Sequence, residues 1–260
     1  MSRLTLSVLA MLLVFVSGCA ATEEPAAPSP SPTSAPPSAP GLDQPVDQWC
    51  SGQETDGVEQ ELINTDDGSA VMTLRVGSGT TTAILSHQTN GKGSCGFLFF
   101  AQQLAAEGIS VILVDSCGYG RSSCPSKESS PGVLAEIAQR ARADGAERVA
   151  LVGASMGGSL VTTAAPESDA DAVVNLSGAA KIDAAQLSRD APLVEAPYLV
   201  VQSGEDYPDL EATRKVWDKI PAKKKELIKV STGHGYDFLR PDKGETPTTV
   251  GQKVIDWISG

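Results

Sequence analysis

The sequence predicts an α/β fold, built on a mostly parallel sheet that is mixed at one edge. Three observations carry that expectation. First, short apolar runs alternate with helix-forming stretches from about residue 81 to the end, the pattern of repeated strand–helix units. Second, two runs at 58–65 and 70–76 meet at Asp66-Asp67-Gly68, which marks an antiparallel hairpin ahead of those units. Third, Gly153-Ala154-Ser155-Met156-Gly157 joins a strand-type run at 148–152 to a helix former at 158–165. Its small residues let a strand and a helix pass closely, at a sharp turn that lifts the Ser155 hydroxyl above the sheet.

Two segments of another character precede the fold. The 13-residue apolar run 4–16, with Arg3 ahead of it, is too short to span a bilayer and fits a secretory leader. Val16-Ser17-Gly18-Cys19 closes that run and looks like a bacterial lipobox. It predicts a leader over 1–18 and a diacylated Cys19 as the first residue after cleavage. Residues 19–48 are rich in Pro, Ala, Ser and Thr, a composition that buries no core and favours extended polyproline conformations. At about 3 Å per residue they make a tether up to ~80–90 Å long. The stretch 49–260 has ample length for a single core.

Within that domain a third strand is expected at 81–86, followed by a loop to Gly96. An apolar helix follows over 97–107, stopped at Gly108. Its Phe97, Leu98, Phe99 and Phe100 read as core packing, with apolar contacts to a substrate as the alternative. Residues 110–115 form a run of the kind that parallel sheets bury on both faces. The loop 116–129 leads to a helix over 131–143 that ends near Gly145. After the strand and helix around Ser155 come strands at 172–176 and 198–202. A helix near 209–220, a strand at 226–230 and a closing helix over 248–258 complete the chain. Lys223, Lys224 and Lys225 read as a solvated turn before the last strand. Only about twenty residues separate the strands at 172–176 and 198–202, too few for a large lid, so a shallow, open site is expected.

The formal net charge is −12 and there is no basic patch, which argues against nucleic acid as a partner. Five cysteines are present. With Cys19 lipidated four remain, and an even number outside the cytoplasm suggests disulfides. Of the three possible pairings, Cys117–Cys124, which closes a short loop, together with Cys50–Cys95 is favoured. With two histidines and no C-x-x-C pair, no metal site is expected, and no organic cofactor is implied.

A serine nucleophile needs a base within hydrogen-bond reach and an acid to orient that base. His87 follows the strand at 81–86, and His234 follows the last strand in Ser231-Thr232-Gly233-His234-Gly235. Both reach the carboxyl edge of the sheet, where ligands collect in such folds. The chain order Ser, acid, His that accompanies nucleophile elbows on such sheets selects His234. His87 reads instead as a residue that holds its loop by hydrogen bonds. The acid should end the strand at 198–202, and Ser203-Gly204-Glu205-Asp206 occupies that place. Asp206 is preferred, ahead of Glu205 and then Asp209. Oxyanion donors are expected in the N–H of Met156, at the helix start, and that of Thr89 or Gln88.

In these residues the chain resembles the α/β-hydrolase superfamily, and especially the dienelactone-hydrolase-like and esterase-like lipoproteins of actinobacteria. The resemblance covers roughly residues 56–260. It is carried by Leu85-Ser86-His87-Gln88, by Asp115 with Gly118-Tyr119-Gly120-Arg121-Ser122, by the Ser155 elbow, and by Gly204-Glu205-Asp206 and Gly233-His234-Gly235. It implies a Ser155–His234–Asp206 triad and an open site on a mostly parallel, roughly eight-stranded sheet with helices on both faces. The expected activity is that of a carboxylesterase on small or exposed esters. The expected partners are a small-molecule ester and, through the lipid on Cys19, the membrane. The expected form is a monomer on the extracytoplasmic face of a bacterial envelope. Two other readings stay open, a binding lipoprotein without turnover on the same scaffold and a serine peptidase of the same superfamily. In one respect the chain departs from the family. The usual His-Gly pair after the third strand is His87-Gln88 here, which bears on the second oxyanion donor.

Overall fold

The structure is a computed structural model that describes residues 44–89, 93–126, 128–241 and 247–260. The expected leader, Cys19 and nearly all of the expected tether lie outside the described residues. A short helix α1 (Val46–Trp49) precedes the hairpin of β1 (Glu59–Asn64) and β2 (Ala70–Val76), so it falls on residues assigned to the end of the tether. Next come β3 (Thr81–Ser86), a 3-10 helix (Gly93–Phe97), α2 (Leu98–Ala106), β4 (Ser110–Val114) and α3 (Pro131–Ala143). They are followed by β5 (Arg148–Ala154), α4 (Met156–Ser168) and β6 (Ala172–Leu176). A small excursion of β7 (Lys181–Ile182), β8 (Ala185–Gln186) and α5 (Leu187–Asp190) stands where a lid would be inserted. The chain ends with β9 (Tyr198–Ser203), α6 (Leu210–Trp217), β10 (Lys225–Val230), a 3-10 helix (Gly235–Leu239) and α7 (Thr249–Ser259).

Eight strands form one sheet in the order β1-β2-β4-β3-β5-β6-β9-β10. The β1/β2 and β2/β4 pairs are antiparallel and the other pairs parallel. Parallel neighbours need a crossover, which α2, α3, α4 and α6 supply, except between β6 and β9, where the excursion holding α5 makes the connection. The strand sequences suit that burial. All residues of β6 and β9 are buried, as a sheet covered on both faces requires. Leu85, Leu113 and Val152 face the core under α2 and α7, whereas Ile84, Ile112 and Leu151 face the core under α3 and α4. The loops after β3, β5, β6, β9 and β10 therefore open on one edge of the sheet, the carboxyl edge.

The core-packing reading of the run 97–100 holds for three of its four residues, whereas the lysine cluster departs from its reading. Phe97, Leu98 and Phe100 are fully buried beneath α2 and offer nothing to a substrate. Phe99 is part-exposed, with the Arg240 guanidinium 4.4 Å from its ring centroid. The lysine cluster is not simply a solvated turn. Lys224 stands 4.6 Å from the Trp257 ring and Lys225 4.3 Å from that of Trp217. Lys225 Nζ also donates to the carbonyls of Trp217 and Ile220, at 3.0 and 2.8 Å. An ammonium gains both from an indole face and from the carbonyls at the end of α6. Both favoured disulfides are present. Cys50–Cys95 ties the segment after α1 to the first 3-10 helix, and Cys117–Cys124 closes the loop after β4.

Candidate active site

β5 ends at Ala154 and α4 begins at Met156, so Ser155 alone makes the turn between them. It does so at φ 50° and ψ −112°, a conformation that costs an L-residue on the order of 1–3 kcal/mol and persists where its surroundings hold it. Here the Ser155 N–H donates to the Leu176 carbonyl at 2.7 Å, and its carbonyl accepts from the Ser159 N–H at 3.2 Å. The Gly157 N–H donates to the His87 carbonyl at 3.1 Å. A Cβ at Gly157 would collide with the Ser86 carbonyl, so glycine is what lets α4 start against the end of β3.

His234 lies in the loop after β10, which turns back across the sheet edge. Its Nδ1 is 2.8 and 2.7 Å from the two carboxylate oxygens of Asp206. A carboxylate only accepts, so the proton sits on Nδ1 and Nε2 is the basic atom of the ring. Asp206 accepts further from the Ser177 hydroxyl at 2.7 Å and from the Tyr207 N–H at 2.7 Å, which fixes the carboxylate plane. Glu205 is exposed, and Asp209 caps α6 by accepting the Ala212 N–H at 2.7 Å. Of the three acids weighed from the sequence, Asp206 is the one that meets the ring. The His234 and Asp206 side chains keep 33% and 13% exposure, which makes the site open to solvent. Gly235, next to His234, packs on Ala154, next to Ser155, such that a Cβ on Gly235 would stand 3.2 Å from that of Ala154. Among the described residues no hydrogen bond joins the Ser155 hydroxyl to the His234 ring, a contact that in hydrolytic sites often tightens only with substrate bound.

The loop after β3 is held by His87, which is completely buried. The Ser116 N–H donates to His87 Nε2 at 3.0 Å, so the proton lies on Nδ1, which donates to the Gln88 carbonyl at 2.8 Å. Burial holds the His87 pKa below the ordinary imidazole value, partly offset by that carbonyl and by the charge of Asp115. A trans peptide sets its carbonyl and the following N–H on opposite sides. With the Gln88 carbonyl drawn inward to the ring, the Thr89 N–H faces away from it, and Thr89 is exposed. The Met156 N–H stands at the first position of α4, where no intrahelical acceptor is available.

Asp115, fully buried, accepts the N–H of Ser94 at 2.8 Å and of Arg121 at 2.9 Å. It thereby ties the two loops flanking the elbow. Ser129 Oγ donates to the Cys117 carbonyl at 3.2 Å and lies 3.6 Å from Met156 Sδ, so Ser129 and the Cys117 backbone stand beside the elbow. Ser177 is the residue that sequence reasoning missed. It lies one position past the end of β6, at φ 59°, and no local signal marks it, because its role depends on β5 and β9 lying on either side of β6. Among the described residues no group of three or more His, Cys, Asp or Glu could hold a metal ion. No helix there is long and apolar enough to cross a membrane.

A family model described as alpha/beta hydrolase fold matches residues 82–211. That span includes Ser155 and Asp206 and stops before His234. Several solved structures share the fold. An esterase from Exiguobacterium antarcticum is 17% identical, with a TM-score of 0.62 over 78% of this chain and 100% of its own. An enol-lactonase from Burkholderia xenovorans is 15% identical, with a TM-score of 0.62 over 77% of this chain and 100% of its own. A monoacylglycerol lipase from Paleococcus ferrophilus is 16% identical, with a TM-score of 0.59 over 72% of this chain and 98% of its own. No curated protein sequence matches.

Proposed function

The chain belongs to the alpha/beta hydrolase fold family, and from that premise we propose that it is a serine carboxylesterase acting on small or protruding esters. The observation that carries the reading is the Asp206–His234 pair on the same sheet edge as a serine held at φ 50°. Ser155 Oγ attacks the ester carbonyl while His234 Nε2 takes its proton. Asp206 holds the Nδ1–H and stabilises the imidazolium that forms. The N–H groups of Met156 and Thr89 receive the oxyanion, the second favoured by the inward turn of the Gln88 carbonyl. As the acyl C–O bond breaks, the proton on Nε2 passes to the leaving alcohol. The same nitrogen then activates the water that releases the acid.

The short excursion between β6 and β9 supports an open site rather than a lidded one. The esterase, enol-lactonase and monoacylglycerol lipase that share the fold lend support to an ester-class substrate. The proposal extends to location, which rests on the leader and Cys19 and is in keeping with two disulfides, since these persist outside the cytoplasm. In this reading the chain is a monomer tethered by lipid to the extracytoplasmic face of the membrane, of the dienelactone-hydrolase-like or esterase-like lipoprotein type, and uses no cofactor.

The test is p-nitrophenyl ester hydrolysis by fractionated cells expressing the full chain. Activity is expected in the membrane fraction, lowered at least about 10³-fold by Ser155→Ala, and moved to the soluble fraction by Cys19→Ala. A folded chain that hydrolyses no ester would sink the reading. Amides cleaved faster than matched esters would favour the peptidase.

A further inference from the structure

The loop carrying His234 crosses from β10 toward β3 with two consecutive backbone N–H groups, of Gly235 and Tyr236, turned to side chains from two different strand ends. The Gly235 N–H donates to Ser177 Oγ, beyond β6, at 3.3 Å. The Tyr236 N–H donates to Gln88 Oε1, beyond β3, at 3.3 Å. Gln88 is almost wholly buried, at 9% exposure. Its Oε1 fills the space that a Cβ on Gly235 would need, and Gly235 has φ 58°. The glycine and the glutamine are thus fitted to each other. The other end of Gln88 is fixed as well, because its carbonyl accepts from His87 Nδ1 at 2.8 Å. One residue therefore touches both halves of the site. Its backbone sets the peptide that carries the Thr89 N–H, and its side chain holds the residue two past His234.

We infer that Gln88 is a positioning residue that locks the His234 loop to the oxyanion loop, so that the base and the oxyanion donors keep one separation. The inference rests on the serine-hydrolase reading above. It also gives a physical role to the departure from His-Gly, since a glycine at 88 has no side chain with which to reach Tyr236. Reacting groups misplaced by about 1 Å can cost about 10²-fold in rate. Loss of this restraint on the loop, with Ser177 and Asp206 still holding it, is expected to cost less.

The test uses the full chain with Gln88→Met, which keeps side-chain length and removes the acceptor, and Gln88→Glu, which keeps the acceptor. Two readouts are taken, steady-state p-nitrophenyl ester hydrolysis and amide hydrogen exchange by mass spectrometry. Gln88→Met is expected to lower kcat about tenfold with KM within about twofold. It should speed exchange in 234–239 while leaving the exchange of β5 and α4 unchanged. Gln88→Glu should restore both. Wild-type kcat and exchange in Gln88→Met would overturn the inference, as would faster exchange throughout the domain in both variants. A wild-type chain inert toward esters would defeat the esterase reading alone. The clamp is then judged by exchange, supported if protection of 234–239 is lost in Gln88→Met and kept in Gln88→Glu, and overturned otherwise.

Discussion

His87 is a buried histidine whose two ring nitrogens are both committed. Protonation would turn Nε2 into a second donor facing the Ser116 N–H, and would place a charge where no water reaches it. Its pKa is accordingly held below the ordinary imidazole value of about 6.5. The unfolded chain takes up this proton near pH 6.5, whereas the folded chain does so only at lower pH. Stability is therefore full above that window and falls as pH drops through it, because the unfolded state then binds more protons. The denaturant midpoint should fall between about pH 7.5 and about pH 5, and fall less in His87→Asn, whose amide can still donate to the Gln88 carbonyl. Equal pH dependence in the two proteins would contradict this role. The sharp strand-to-helix turn at Ser155 was legible from the chain because a five-residue pattern carries its own backbone geometry. The pairing of His234 with Asp206 was legible because there are two histidines to choose from and Asp206 follows a strand end. Ser177 was not, since nothing in its local sequence marks it and its role arises only when β5, β6 and β9 lie side by side.

At the scale of elements, the two disulfides hold loops of different length. Cys50–Cys95 spans 45 residues and Cys117–Cys124 spans 7. Chain entropy alone assigns about 4 kcal/mol to the first and about 2.5 kcal/mol to the second. Replacing each pair by alanine and measuring urea unfolding should show the larger loss for the Cys50/Cys95 pair. A larger loss for the short loop would mean that native contacts near Asp115 and Ser129, rather than loop closure, dominate. The strands were readable because a sheet buried on both faces demands unbroken apolar runs. The helix α4 outran its sequence reading, passing through Pro166 to Ser168, although Pro166 forfeits a backbone bond and crowds the carbonyl four residues before it. The two-residue strands β7 and β8 and the 3-10 helix Gly235–Leu239 were not readable, since elements so short carry no periodicity. The last of these matters most, because it brings Tyr236 to Gln88.

At the scale of the whole molecule, the strand order β4-β3-β5 places the loops after β3 and β5 side by side and sets those after β9 and β10 across β6 from them. No local pattern states that order. It follows from right-handed crossovers packing helices on both faces of a twisted sheet, and it alone turns residues 87–89, 155, 177, 206 and 234 into neighbours. In the proposed mechanism this gathering is what activates Ser155. The most direct measurement is reaction of the full chain with a fluorophosphonate probe, with the adduct mapped by mass spectrometry in wild type, Ser155→Ala and His234→Ala. One adduct is expected, on Ser155, absent from Ser155→Ala and formed about 10³-fold more slowly or not at all in His234→Ala. A folded wild-type chain that takes up no probe, or one labelled on another serine, would contradict it.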